Sequence, residues 1–216
     1  MDKRVTVIDY GRSNLLSVKR ALEHCGAQVS FACAPEQIQS AQRLILPGVG
    51  AFADGMQQLK EKQLLQPIIE AAKNGVPLLG ICLGMQLLFE SSEENGLHAG
   101  IGLMKGKVTA IPKTDLQGCP QKVPHVGWGK LIPTQPDFTG SFLQGLPPQA
   151  ECYFVHSFHA CPVQPSHQVA YTLYGGHSIC AAVQSGNLIG TQFHPEKSGE
   201  IGLCILRAFC NMESIG

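Results

Sequence analysis

The chain has 216 residues, 44% of them apolar and 15% charged, with 16 basic residues balanced by 16 acidic ones. A domain of roughly 150–250 residues buries its core without disulfide staples, and balanced charge argues against a general nucleic-acid or anionic-membrane surface. No stretch approaches the roughly 20 apolar residues of a membrane span, no signal segment precedes Val5-Thr6-Val7-Ile8, and the nine cysteines contain no C-x-x-C pair, so we expect a cytoplasmic, reduced protein whose cysteines are mostly core residues.

Strands and helices alternate in the first half. Residues 5–9 form a short apolar run that predicts a strand, and Leu15, Val18, Leu22 and Cys25 then recur at helical spacing. Residues 28–32 and 44–46 predict further strands. Helical periodicity runs through 56–73, carried by Leu59, Leu65, Ile68, Ile69 and Ala72. A buried strand is expected at 77–81, and a helix at 86–90. This order predicts an α/β fold, with a flavodoxin-like, mostly parallel sheet flanked by helices in a single domain over 1–216.

The second half changes character. Short β-branched and aromatic runs at 107–111, 152–158, 168–173, 179–184 and 188–192 are separated by turn signals such as Gly175-Gly176 and Ser185-Gly186-Asn187. They predict additional antiparallel strands. The Pro- and Gly-rich region 113–149 reads mostly as loop. A closing helix carries the apolar stripe Ile201, Cys204, Ile205, Ala208, Phe209 and Met212.

The chemistry gathers at Gly80-Ile81-Cys82-Leu83-Gly84-Met85. A thiol between glycines at a strand-to-helix corner is a nucleophile elbow with sulfur in place of oxygen. Small neighbours allow the sharp turn and the approach of a carbonyl, and the N-terminal end of a helix favours a thiolate. Gln192-Phe193-His194-Pro195-Glu196 ends the last expected strand. Alternation puts His194 and Glu196 on one side, which suits a carboxylate that orients an imidazole base. Sheets of this class place ligands at the carboxyl ends of strands, so the two segments can meet. Leu46-Pro47-Gly48-Val49-Gly50 leaves a strand through a glycine-rich turn. The N–H groups of Val49 and Gly50, with that of Leu83, are candidates for an oxyanion hole.

Each piece alone has an ordinary structural explanation: a core cysteine, a loop His-Pro-Glu, a simple turn. Trp128 could be a core residue, and Asn14 a helix N-cap. His156 and His159 form a weak H-x-x-H pattern, and no metal site is expected. It is the combination, each part following a strand, that points to an acyl-transfer enzyme.

These residues carry a family resemblance. The elbow from Gly80 to Gln86, with His194-Pro195-Glu196, resembles the class I (triad) glutamine amidotransferases. Within that class the chain is similar to the glutaminase subunits of imidazole glycerol phosphate synthases. The supporting residues are Ile8-Asp9-Tyr10-Gly11-Arg12-Ser13-Asn14-Leu15, the Pro47 turn, Val123-Pro124-His125-Val126-Gly127-Trp128 and Tyr153-Phe154-Val155-His156-Ser157. The family usually has Gly where Ser13 stands and Asn where Gly129 stands.

The resemblance implies that Cys82 attacks the side-chain amide of L-glutamine, that His194 protonates the departing ammonia, and that water then cleaves the thioester. It assigns substrate binding to Gly50, Gln86 and the backbone at Ser157 and Phe158, and a partner interface to Asn14, Trp128 and Tyr153. No cofactor is implied. The implied partner is a separate (β/α)₈-barrel cyclase subunit, which receives the ammonia through a channel and makes imidazole glycerol phosphate and aminoimidazole carboxamide ribotide in histidine biosynthesis. A barrel needs roughly 200 residues or more of its own. Nucleic-acid and membrane partners are not expected. The resemblance also implies low activity without the partner, and a turn of the Gly48-Val49 peptide is a physical route to such gating.

Three rivals remain at this point, beside a paralogous amidation route. Glutaminases of anthranilate and aminodeoxychorismate synthases typically carry His where Met85 stands and lack Pro-His-Val-Gly-Trp. A non-catalytic binding subunit would have no use for an intact Cys82, His194 and Glu196. A γ-glutamyl peptidase with the same elbow fits Glu196 and the interface-like loops less well.

Overall fold

Continuous apolar runs build the centre of the structure, a computed structural model that describes residues 3–11 and 14–214. Arg12 and Ser13, part of the family resemblance, lie outside the described residues. The first half contains β1 (Arg4–Ile8), α1 (Leu15–His24), β2 (Gln28–Ala32), α2 (Pro35–Gln39), β3 (Leu44–Gly48), α3 (Phe52–Glu61), α4 (Leu65–Lys73), β4 (Leu78–Cys82) and α5 (Leu83–Leu87). It is followed by β5 (Phe89–Ser92), β6 (His98–Ala99), β7 (Met104–Ala110), β8 (His125–Lys130), β9 (Ile132–Pro133), β10 (Glu151–His156) and β11 (Phe158–Pro162). The chain closes with β12 (Gln168–Tyr174), β13 (His177–Ser185), β14 (Leu188–Thr191) and α6 (Gly199–Cys210).

The main sheet has the order β2-β1-β3-β4-β14-β13-β12-β9. From β2 to β14 every pairing is parallel, in the flavodoxin-like order, and β13, β12 and β9 extend it antiparallel. A four-stranded sheet, β11-β7-β5-β6, and a two-stranded ribbon, β8 with β10, complete the architecture.

Side-chain alternation sorts the strands into two cores. Val5, Val7, Ile45, Leu79 and Ile81 pack under α1 and α6, against Val18, Leu22, Ile205 and Phe209. Ile8, Leu44, Leu46 and Leu78 pack on the opposite side with Phe52, Met56, Leu59 and Ile68 of α3 and α4. Strands buried on both faces have no polar side to show, which is why they read as unbroken apolar runs.

Several boundaries differ from the sequence reading. The periodicity over 56–73 is two helices, because Gln63 takes φ 57°. Gln63 N–H bonds to Lys60 O (3.0 Å) and Leu64 N–H to Leu59 O (2.9 Å), the pair that closes a Schellman cap. The helix expected at 86–90 is α5, which starts at Leu83 and yields to β5 at Phe89. The 113–149 region contains β8 and β9; two glycines in His-Val-Gly-Trp-Gly-Lys mask a strand that Glu151–His156 pairs residue by residue. The short α2 was not anticipated. The run 188–192 pairs parallel to β4 as well as antiparallel to β13. Cys204, expected in the α6 stripe, is exposed, while Leu206 and Cys210 are buried.

α5 is seated on the sheet by glycines. A Cβ on Gly80 would stand 2.6 Å from Met85 N, and one on Gly84 would overlap the Leu46 carbonyl of β3. Backbone cannot yield as a side-chain tip can. We therefore expect Gly84→Ala to cost about 2–3 kcal/mol in urea unfolding. Gly55→Ala, whose Cβ meets only leucine methyls at 3.3 Å, gains helix propensity in α3 and should stay within about 1 kcal/mol of the parent.

Candidate active site

The carboxyl ends of β3, β4 and β14 converge on one cavity of about 340 Å³. Val49, Gly50, Cys82, Leu83, Gln86, Glu94, Pro124, His156, Ser157, Phe158 and His194 are among its lining residues. The expected oxyanion residues and substrate-binding residues therefore surround the same space. Glu196 stands behind His194.

Cys82 ends β4 and immediately precedes α5. Its backbone sits at φ 55°, ψ −111°, a region that residues with side chains avoid. The turn projects the sulfur out of the sheet while keeping it 7% exposed. Sγ lies 3.9 Å from Val155 O and 3.7 Å from Gln192 Nε2. Leu83 opens α5, so its N–H has no intrahelical acceptor. Gly48 pairs with Cys82 across β3 and β4, which brings the Val49-Gly50 turn alongside the sulfur. Gly50 needs its glycine for φ 101°. Gly48 needs it for space, since a Cβ would stand 2.9 Å from Leu83 Cβ and against the Tyr10 hydroxyl.

His194 lies just beyond β14, anchored by its N–H to Tyr153 O (2.9 Å) and by Ser198 Oγ donating to its carbonyl (2.7 Å). Its Nδ1 donates to Glu196 Oε1 at 2.8 Å, with both side chains buried. The expected pairing is present, but Glu196 reaches it from a 3-10 turn, Pro195–Lys197, and not by strand alternation. Burial lowers the His194 pKa. The Cys82 sulfur, as hydrogen-bond acceptor and anion, and then the Glu196 carboxylate more than reverse this and raise it to about 10. Nε2 is buried and faces the sulfur without a closed hydrogen bond, a looseness common before substrate arrives.

Two groups in the site carry no assignment from the sequence reading. Glu94, in the loop after β5, accepts Phe52 N–H at 2.7 Å and lines the cavity; nothing in a loop glutamate marks it beforehand. Gln192 is fully buried, and its Oε1 accepts from Gln86 Nε2 at 3.0 Å. The alternation argument that singled out His194 puts Gln192 on the same side. Gln86 Nε2 also donates to Phe158 O at 3.0 Å. His156 Nδ1 bonds to the same carbonyl at 2.8 Å and its Nε2 meets His125 Nδ1 at 3.2 Å. Burial pushes His156 down to about 3 and lowers His125, so both rings are neutral. Phe158 O can only accept, so the protons sit on Nδ1 of each ring.

Of the expected interface residues, Asn14 and Trp128 are exposed and Tyr153 is half-buried. Trp128 is 58% exposed, which removes the core alternative, and it meets Tyr153 edge-on at 6.1 Å. They are cross-strand partners on the ribbon, as are exposed Val126 and the cavity-lining Val155. Asn14 is exposed at the N-cap of α1, and its side chain makes no capping bond. Among the described residues no cluster of three or more His, Cys, Asp or Glu could hold a metal ion, and no helix is long and apolar enough to cross a membrane.

A thiol, an imidazole and a carboxylate in this order, beside the first amide of a helix, can form and hydrolyse an acyl-enzyme. Comparison with known proteins bears on which acyl group. The family described as glutamine amidotransferase class-I matches residues 6–210. The chain is 46% identical over 207 residues to the imidazole glycerol phosphate synthase subunit HisH 1 of Legionella pneumophila (strain Lens), covering 95% of this chain and 97% of that protein. It is 44% identical to a Geobacillus subunit HisH, covering 96% of each. Among solved structures, PurLQS from Thermotoga maritima superposes with a TM-score of 0.75 at 24% identity, covering 98% of this chain and 99% of that one.

A histidine raised in the fold stabilises it while charged. That contribution is fully present below the ordinary value near 6.5 and is lost as pH rises through about 10. Glu196→Gln removes one of the causes of the rise. Its His194 ring should titrate at lower pH by NMR, and its unfolding free energy should fall less than the parent's between about pH 7 and 10.

Proposed function

The chain belongs to the class-I glutamine amidotransferases, and on that premise we propose that it is the glutaminase subunit of an imidazole glycerol phosphate synthase, working with a cyclase subunit in histidine biosynthesis. The observation that carries the reading is the Cys82–His194–Glu196 arrangement at the mouth of a cavity that Val49, Gly50 and Leu83 also line. Near-full-length relatives at about 45% identity bear the synthase name.

Cys82 Sγ attacks the δ-carbon of glutamine. Electrons move onto the amide oxygen, which the N–H groups of Leu83 and the Val49-Gly50 turn hold. The imidazolium of His194 gives its Nε2 proton to the nitrogen as the C–N bond breaks, and ammonia leaves. Glu196 keeps Nδ1 protonated throughout, so the proton that moves is always the one on Nε2. Water then adds to the γ-glutamyl thioester, His194 takes its proton, and glutamate departs as the C–S bond breaks.

The cavity offers an amino-acid substrate three recognition elements. Glu94 is the sole carboxylate among the described lining residues and suits the α-ammonium. Gln86, with both amide hydrogens committed to Phe158 O and Gln192 Oε1, presents its oxygen as an acceptor. Ser157 O is occupied by Ile111 N–H, so Phe158 opposite Ala110 is a non-bonded pair whose N–H turns away from β7. That N–H suits the α-carboxylate.

Ammonia released into water is protonated and lost, so the exit from Cys82 must be covered. The exposed Trp128 and Val126, with half-buried Tyr153 opposite Trp128, form the face where a (β/α)₈-barrel cyclase docks, with Asn14 at the same contact. Gating follows from the turn at Gly48: the partner sets the Val49 N–H for the oxyanion.

Three outcomes are expected. Glutaminase activity, read as glutamate release, appears with the cyclase and is at least about tenfold lower without it; equal rates would remove the gating. Cys82→Ala lowers the rate at least about 1,000-fold while complex formation by size exclusion is retained. Glu94→Gln, which keeps the acceptor for Phe52 N–H, raises KM for glutamine roughly tenfold or more with little change in kcat.

A further inference from the structure

Gln192 enters above only as an acceptor for Gln86, yet it is fully buried and also reaches the Cys82 sulfur. Its orientation can be fixed without ambiguity. Phe158 O is a backbone carbonyl and can only accept, so the end of Gln86 that meets it at 3.0 Å is the NH₂. The same NH₂ meets Gln192 at 3.0 Å, so Gln192 turns its oxygen there. The other end of the Gln192 carboxamide is then its NH₂, and it lies 3.7 Å from Cys82 Sγ. His156 Nδ1–H fills the remaining acceptor capacity of Phe158 O, which holds the starting point of this chain in place.

We infer that Gln192 is a catalytic residue: its carboxamide donates to the Cys82 sulfur as a thiolate and, by accepting from Gln86, directs the Gln86 oxygen at the substrate. The inference rests on Cys82 being the nucleophile of glutamine hydrolysis. A neutral donor suits this position. It adds no charge to a site that holds an imidazolium, and it favours the anionic sulfur both before attack and when the thioester breaks. The titratable groups around the sulfur are His194 with Glu196 behind it, His156 beside Val155, and Glu94 across the cavity.

Two substitutions separate the two bonds. Gln192→Met keeps the volume and loses both. Gln192→Glu keeps an acceptor for Gln86 but withdraws the donor from the sulfur and places a second negative charge there. The variants are assayed in complex with the cyclase, and the pH dependence of Cys82 alkylation by iodoacetamide is read by mass spectrometry of its peptide, since the other cysteines also react.

We expect kcat/KM to fall roughly 10- to 100-fold in both. KM for glutamine should rise in Gln192→Met and stay within about threefold of the parent in Gln192→Glu. The alkylation midpoint should move up by about one pH unit or more in Gln192→Glu. An unchanged midpoint in both folded variants, or kcat/KM within about twofold of the parent, overturns the inference. Should either variant not fold, the side-chain amide resonance of Gln192 in the parent decides: it shifts as Cys82 titrates, or the inference fails. Failure of the functional reading looks different. The parent complex would then release no glutamate and carry no γ-glutamyl thioester, whatever Gln192 does.

Discussion

A cysteine held at φ 55°, ψ −111° is the constraint on which the rest of the structure depends. Such a conformation costs about 1–3 kcal/mol and persists only where its surroundings overrule it. On one side is β4, buried along its whole length and paired with both β3 and β14. On the other is α5, pressed so close to the sheet that Gly80 and Gly84 leave no room for a Cβ. Relaxing the corner would mean lifting α5 off the sheet and exposing Leu83, Met85 and Leu87, all buried. The strain therefore stays local, and the sulfur stands clear of the sheet where a substrate carbon can reach it.

Around that corner the polar groups are ordered by what each neighbour can accept. His125 and His156 are neutral because burial makes a charged ring costly. His194 becomes charged because the anionic Cys82 sulfur and the Glu196 carboxylate outweigh the same burial penalty. Glu196 accepts from His194 Nδ1 at 2.8 Å, and its carboxylate is as buried as the ring it serves. In a site of low effective dielectric, such fixed polarity is worth more than the same groups in water.

Much of this could be read from the residues. Glycines announced the corner, and continuous apolar runs announced the central strands. Gly26 and Gly75 take positive φ just past α1 and α4, where a helix stop is legible. The stop after α3 uses Gln63 instead, a residue with no such signal, so one periodic run concealed two helices. β8 was hidden for the opposite reason: its glycines suggest a loop, and only the pairing with β10 makes it a strand. The triad was legible because its residue types are rare together. Gln192 and Glu94 were not, because a glutamine in a strand and a glutamate in a loop acquire meaning only from what folding sets beside them.

Gly129 ties the ribbon to the main sheet. The space that its missing side chain leaves is taken by Thr172 Oγ1 and the ring of Phe154, 2.8 and 3.0 Å from where a Cβ would stand, and Phe154 in turn stacks on His125 at 5.1 Å. A side chain at this point is admitted only if the Thr172 hydroxyl and the Phe154 ring give way together. Any change at Gly129 is therefore felt on β12 as well as on the ribbon, and the two behave as one unit.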